Sequence, residues 1–271
     1  GRDAYHAFLD LHRQHFMGHV AELEGMAQGS GRAFEEIFLI NLRGEYAGLM
    51  RQEDTQPDDG GCSDCLVLTP QVALLGHNED GPAAALGNMF LVRVQIDDHP
   101  VFTALCYPGF LPGNAFGFNQ AGMLHTIDAL QPRQVRVGLG RHFMARSLLD
   151  ARSLDDAIRR VTRSGRAAAF AYNIGSVTER QMVSVEVSPE QHHVHPVQGH
   201  YVHTNHYLQL KKVDQIIGDS SQARLQRAGA LCQATAPTAA AHVLRVLGDQ
   251  ANHDYPIYRR ACTPDGSATL C

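Results

Sequence analysis

Apolar residues first change their period across residues 51–61 of this 271-residue chain, and that change limits the fold more than anything else in the sequence. Tyr5, Phe8, Leu9, Phe16, Val20, Leu23 and Met26 recur at helical spacing, with Gly29-Ser30-Gly31 as a stop. Phe34, Ile37, Phe38, Ile40, Leu42 and Tyr46 then give the buried side of a second helix over 33–50. A polar tract, 51–61, ends in Pro57-Asp-Asp-Gly-Gly61 and reads as an exposed linker. Beyond it the period is two, with short apolar runs at 66–68, 72–75, 90–96, 101–105, 115–118 and 123–127, a meander of about six strands.

Helical spacing returns over 139–151 and after Ser153, which reads as an N-cap followed by acidic Asp155 and Asp156. These two helices are expected to stack on the first sheet. A second strand block follows at 167–174, 181–187, 192–197 and 201–204, with a turn at Ser188-Pro-Glu-Gln191, then helices over 220–232 and 237–247 and a last strand at 268–270. Helix pairs alternating with antiparallel-type strand blocks predict an α+β fold, a four-layer αββα sandwich. Each sheet then covers its outer face with helices and packs its inner face on the other sheet.

Composition narrows the function. A net charge of −5 with 44% hydrophobic and 19% charged residues argues against disorder and against a nucleic-acid partner, which would demand a basic stripe. No apolar run approaches a membrane span, and the first residues do not resemble a signal peptide, so no membrane partner and a cytoplasmic location are expected. The chain starts without Met and stops on an apolar run, so further residues are expected at both ends. Six cysteines in a chain this long are too sparse for a disulfide scaffold and read as reduced thiols.

Cys62-Ser-Asp-Cys65 invites a redox or zinc reading, but a strand rather than a helix follows it and no second ligand pair has the right spacing. Six histidines between 192 and 206 invite a metal site, yet they spread over two or three strands without a cysteine or carboxylate cluster. They are read as solvated strand edges and hydrogen-bonded turns; no metal and no cofactor are expected.

Cys62 is distinguished by its place, after two glycines and directly before a hairpin. Gly61 has no side chain to shield its carbonyl, so the neighbouring thiol can attack it; hydrolysis of the resulting ester frees Cys62 as an N-terminus. The new α-amino group, of ordinary pKa about 7.7–8.0, can then act as base for the thiol of its own residue. Asp80, at the end of Gly76-His-Asn-Glu-Asp80, returns beside the strand start and can orient that amine. Asn205, in His203-Thr-Asn-His206, offers an amide donor for an oxyanion hole. Tyr107, Pro108 and Gly109 form a turn-rich mouth after a strand, suited to an acyl pocket or to presenting backbone N–H groups.

Together Gly61-Cys62, Gly76-His-Asn-Glu-Asp80, Asn119-x-x-Gly122 and His203-Thr-Asn-His206 resemble the isopenicillin N acyltransferase family of N-terminal-nucleophile (Ntn) hydrolases. Glu22-Leu-Glu-Gly-Met-Ala-Gln-Gly fits that family's pro-segment pattern. The resemblance implies the αββα fold, self-cleavage before Cys62, and cleavage or transfer of acyl groups on amides. It implies Cys62 as nucleophile, Asp80 as the acidic residue of the nucleophile's hairpin and Asn205 as oxyanion donor. The Gly-His-Asn-Glu-Asp motif and Asn252-His-Asp-Tyr-Pro-Ile-Tyr258 look closer to the insect β-alanyl-dopamine/carcinine hydrolase branch than to the fungal acyltransferases. A Glu at 79 suits a substrate amine, and Arg259 and Arg260 are candidates for a late arginine that some relatives use.

The expectation is therefore an autoproteolytic cysteine hydrolase of a small amide. Residues 1–61 form a helical pro-segment and 62–271 the catalytic portion, packed as one domain. Its partners are a small-molecule amide and its own pro-segment, with a second copy of the chain open. An acyl-CoA-dependent acyltransferase and a non-catalytic binding protein on the same fold are the alternatives.

Overall fold

In a computed structural model, residues 2–50, 61–233, 240–260 and 267–271 are described. Residues 51–60 of the linker expected over 51–61, the start of the helix expected from 237, and Cys262 lie outside them.

The first 50 residues form four helices rather than two: α1 (Arg2–His15), α2 (Met17–Ser30), α3 (Phe34–Ile40) and α4 (Arg43–Leu49). Phe16 leaves helical geometry between α1 and α2 (φ −140, ψ 42) while its ring stays buried, and Gly31 ends α2 in the left-handed conformation at φ 67. Asn41 lies between the next pair, where Nδ2 donates to Ile37 O (2.9 Å) and Gly109 O (2.8 Å) and Oδ1 accepts from Leu111 N (2.8 Å).

Then come β1 (Ser63–Leu68), β2 (Ala73–Asn78), β3 (Asp80–Pro82), β4 (Phe90–Val94), β5 (Phe102–Cys106), β6 (Phe116–Asn119) and β7 (Met123–Ala129). Two helices, α5 (Arg141–Leu148) and α6 (Leu154–Val161), lead to β8 (Phe170–Ser176), β9 (Gln181–Val187), β10 (His192–Pro196) and β11 (Gly199–His203). The chain closes with α7 (Asp219–Gln233), α8 (Ala240–Leu247) and β12 (Ser267–Thr269). Ser153 caps α6 as its sequence suggested, accepting from Asp156 N at 3.1 Å.

Among the described residues every pairing between these strands is antiparallel, but the sheets do not follow the two sequence blocks. β7 pairs with β8 across the helical insertion, giving a seven-stranded sheet in the order β10-β9-β8-β7-β6-β5-β4. The first hairpin instead joins the end of the second block as β11-β1-β2, and β3 pairs with β12. Consequently α5 and α6 cover strands of both blocks: Phe143, Leu148, Leu154 and Ala157 share one core with Ile127, Tyr172 and Val185.

The N-terminal helices belong to the same core. Phe143 of α5 lies 4.2 Å, centroid to centroid, from the His12 ring and 5.9 Å from Phe38. His12 donates through Nδ1 to Phe8 O (2.7 Å) and accepts the Gly140 N–H at Nε2 (2.9 Å); burial lowers its pKa to about 4, which keeps the ring neutral for both bonds. On the other side, Cys65 and Val67 of β1 pack with Ala228, Cys232, Val243 and Val246 of α7 and α8. Leu66 meets Met182 and Val197 between the two sheets. The layers are thus helix, seven-stranded sheet, smaller sheet, helix.

Candidate active site

Cys62 immediately precedes β1, in antiparallel register with β2, where Ser63 faces Asn78. The strand edge therefore brings Glu79 beside the thiol: Cys62 Sγ donates to Glu79 Oε2 at 3.2 Å. Tyr107 donates its hydroxyl to Glu79 Oε1, and His77 Nε2 donates to Oε2 at 3.1 Å. The backbone of Glu79 is bracketed by the chain's last residues, its N–H on Cys271 O (3.1 Å) and its O on Leu270 N (2.7 Å). Burial, reinforced by the Glu79 charge, pushes the Cys62 thiol well above its ordinary pKa. As an internal residue it rests as a thiol, so a proton acceptor must come with the reaction.

Gly61 takes φ 131, a conformation open to glycine. A Cβ at this position would overlap the Asn205 carboxamide. The peptide before Cys62 therefore lies against Asn205, where β11 ends. Arg224 of α7 fixes that amide: Nη2 donates to Asn205 Oδ1 (2.8 Å), while Nη1 donates to Cys62 O and to Ser63 Oγ (2.8 Å). With Oδ1 engaged by a cation, Asn205 presents Nδ2 as donor; it meets Ala129 O at 3.2 Å.

Asp80 is buried one residue beyond Glu79. Thr269 donates to its Oδ1 at 2.7 Å and Arg259 Nε lies 3.2 Å from Oδ2. Burial raises the Asp80 pKa to about 6, against the opposing pull of Arg224, the Thr269 bond and Arg259. Of the two late arginines, Arg259 is buried on Asp80 and Arg260 is exposed.

Cys62, Gly61, Glu79, Tyr107 and Asn205 are thus drawn together, directly or through Arg224, while Asp80 is held by Thr269 and Arg259. Gly109 gives its carbonyl to Asn41, between α3 and α4, and Pro108 is exposed on the same turn.

Sequence reading missed the polar layer behind the thiol. His77 Nδ1 donates to Asp64 Oδ2 (2.9 Å), and His203 bridges Asp128 Oδ2 (3.0 Å) and Glu186 Oε1 (3.2 Å). The flanking carboxylates raise both imidazoles well above the ordinary histidine pKa despite burial. Burial and the Asp64 charge push Asp128 up to about 7. His203 and His206 are accordingly buried, not solvated as expected, whereas His192 and His193 are exposed. Arg224 was also missed, although an arginine one turn from Ser220 and Ala228 on an otherwise small, buried helix face was a signal.

Fold and site together define an N-terminal-nucleophile-type sandwich with a buried cysteine at the start of an inner strand. Residues 67–271 match the family model described as acyl-coenzyme A:6-aminopenicillanic acid acyl-transferase, and the chain belongs to that family of amide hydrolases and acyltransferases. It is 30% identical over 286 aligned positions to the β-alanyl-dopamine/carcinine hydrolase of Drosophila melanogaster, covering 96% of this chain and 73% of that protein. It is also 30% identical over 201 positions to the 40 kDa form of acyl-coenzyme A:6-aminopenicillanic-acid-acyltransferase of Emericella nidulans (strain FGSC A4), covering 72% of this chain but 54% of that protein. A solved structure, the Caenorhabditis elegans ortholog of N-acylethanolamine-hydrolyzing acid amidase, superposes with a TM-score of 0.52 at 11% identity. It covers 72% of this chain and 89% of that one, a likeness of fold. Among the described residues no helix is long and apolar enough to cross a membrane.

Proposed function

We propose that the chain is an autoproteolytic cysteine hydrolase of a small amide, a β-alanyl amine or similar N-acyl amine. The observation that carries it is the junction itself: a left-handed Gly61 pressed on the Asn205 amide, directly before a buried thiol.

In the first turnover the Cys62 thiol gives its proton to Glu79 Oε2, its acceptor in the uncut chain, and attacks the Gly61 carbonyl. Asn205 Nδ2 donates to the oxyanion. The C–N bond breaks, the Cys62 nitrogen takes up the proton, and water hydrolyses the ester, leaving a Gly61 carboxylate and a free Cys62 amine. That amine then serves as base for each later turnover. The thiolate adds to the substrate carbonyl, Asn205 again holds the oxyanion, the protonated amine product leaves, and water resolves the thioester. Asp80 and Glu79 are acids suited to orienting the Cys62 ammonium and a substrate ammonium. Tyr107 holds Glu79, and the turn through Pro108 and Gly109 walls the acyl side.

The Drosophila relative is named for β-alanyl-dopamine and carcinine, so these are the substrates to try first. The protein should release the amine from each only while Cys62 is present, and added amines should capture little of the acyl group. Glu79→Gln should slow self-cleavage, and its cleaved fraction should show KM raised more than kcat is lowered, more for β-alanyl amides than for uncharged N-acetyl analogues. No amine release from any β-alanyl or N-acyl amine would sink the proposal; efficient capture of the acyl group by an added amine would favour the acyltransferase reading.

A further inference from the structure

Outside the active site, on the face of the smaller sheet that α7 and α8 cover, three side chains from three elements converge. They are His200 of β11, Cys232 in the last turn of α7 and His242 in the first turn of α8. The two Nε2 atoms lie 3.2 Å apart, and the Cys232 sulfur lies within 4.8 Å of both. We propose that His200, Cys232 and His242 form a binding site for a zinc-class divalent cation, separate from Cys62, that ties both helices to the strand.

The geometry is that of two imidazoles sharing an ion. With Zn–N bonds of about 2.0–2.1 Å, tetrahedral sharing places the nitrogens about 3.3 Å and the ring centroids about 5.2 Å apart. Here the values are 3.2 Å and 5.0 Å. A straight N–H···N bond of that length would hold the centroids about 5.5 Å apart.

The donor set is borderline-soft, which selects zinc or cobalt over magnesium or calcium. Cys232 and His242 are buried while His200 is half-buried, so an ion can enter from that side and water can take the fourth position. Cys65 lies behind Cys232 as a sulfur hydrogen-bond partner outside the ligand set. Arg245 Nη2, 3.3 Å from His242 Nδ1, donates to that nitrogen. Loading moves the His242 proton from Nε2 to Nδ1, turns the exposed Arg245 outward and releases the Cys232 thiol proton to solvent.

The site is invisible in the histidine-rich stretch by itself, because two of its ligands belong to helices on either side of residues 234–239. Sequence reading expected no metal for that reason.

The test uses the full chain carrying Cys62→Ala, which removes the thiol of another cysteine–histidine–glutamate group, that of the active site. Cobalt titration should give tetrahedral visible bands and a thiolate-to-cobalt charge-transfer band, saturating at about one ion per chain and reversed by zinc. Cys232→Ser should abolish the charge-transfer band. His242→Ala should weaken binding at least about a hundredfold, since loss of an outer-sphere partner alone costs about 10–100-fold. Zinc at a hundredfold excess over Kd should raise the melting temperature by about 5–10 °C, and not in either variant. The proposal is overturned if cobalt gives no thiolate band, if the band survives Cys232→Ser, or if magnesium competes equally. Circular dichroism of the metal-free variants separates lost binding from lost folding.

Discussion

The two faces of the seven-stranded sheet are built from alternate residues of the same strands, yet they do opposite things. Toward α1–α6, β8 and β9 present Phe170, Tyr172, Ile174, Val183, Val185 and Val187, which share a core with Phe8, Phe38 and Phe143. Toward the smaller sheet the intervening residues include Asn173, Ser184 and Glu186, beside the apolar Met182, joined by Thr126 and Asp128 of β7, all buried. Asp64 and His203 meet them from the opposite sheet and His77 stands beside Asp64, so several ionisable groups share a layer without solvent. Burying charges costs free energy unless they are paired and hydrogen-bonded. Here each imidazole sits between two carboxylates, and Glu186 also accepts from Leu208 N, Gln209 N and Leu210 N. One face supplies stability and the other holds the polar layer behind the Cys62 thiol.

Breaking the apolar face should produce the largest effect. Phe143→Ala removes the ring at the junction of the N-terminal helices and α5 and should cost about 3–5 kcal/mol of stability, read from denaturant midpoints. Its kcat per folded molecule should stay unchanged; a matching loss of kcat would erase the division between the faces. Asn205→Ala should do the reverse. Loss of one oxyanion donor lowers kcat by about 10²–10³, with little change in KM, and a near-normal kcat would remove Asn205 from the oxyanion site.

Asp128→Asn should give the smallest effect, visible only in pH dependence. In the folded chain Asp128 keeps its proton up to about pH 7, whereas an unfolded Asp releases it near about 3.9. Its contribution is therefore full below about pH 4 and is lost as pH rises toward about 7. Denaturant midpoints from about pH 4 to 8 should fall less steeply in Asp128→Asn than in wild type. Parallel curves would show that Asp128 is ionised throughout.

The apolar face was legible in the sequence because alternation and helical spacing are local: Phe170, Tyr172 and Ile174 declare a strand wherever it pairs. Cys62, Asn205 and the Gly76–Asp80 motif were legible because glycines and polar residues at a strand start and strand ends are local too. The partners were not. Alternation says which residues share a face but not which strand lies alongside, so β7 with β8 and β1 with β11 emerged only in three dimensions. The same ignorance hid the polar layer: Asp64, Asp128 and His203 each look like an ordinary strand residue until three strands bring them together. Arg224 reaches Cys62 from 162 positions away in sequence. Asn41, among the N-terminal helices, props the Gly109 turn from 68 positions away.

The central claim is that Cys62 becomes a nucleophile by cutting the bond before it, and the intact mass of the purified protein under denaturing conditions tests this most directly. The account predicts two chains divided between Gly61 and Cys62 for the wild type, migrating together under native conditions, and one uncut chain for Cys62→Ala. A wild-type chain that stays whole while hydrolysing its amide, or a Cys62→Ala chain cut at the same bond, would contradict it.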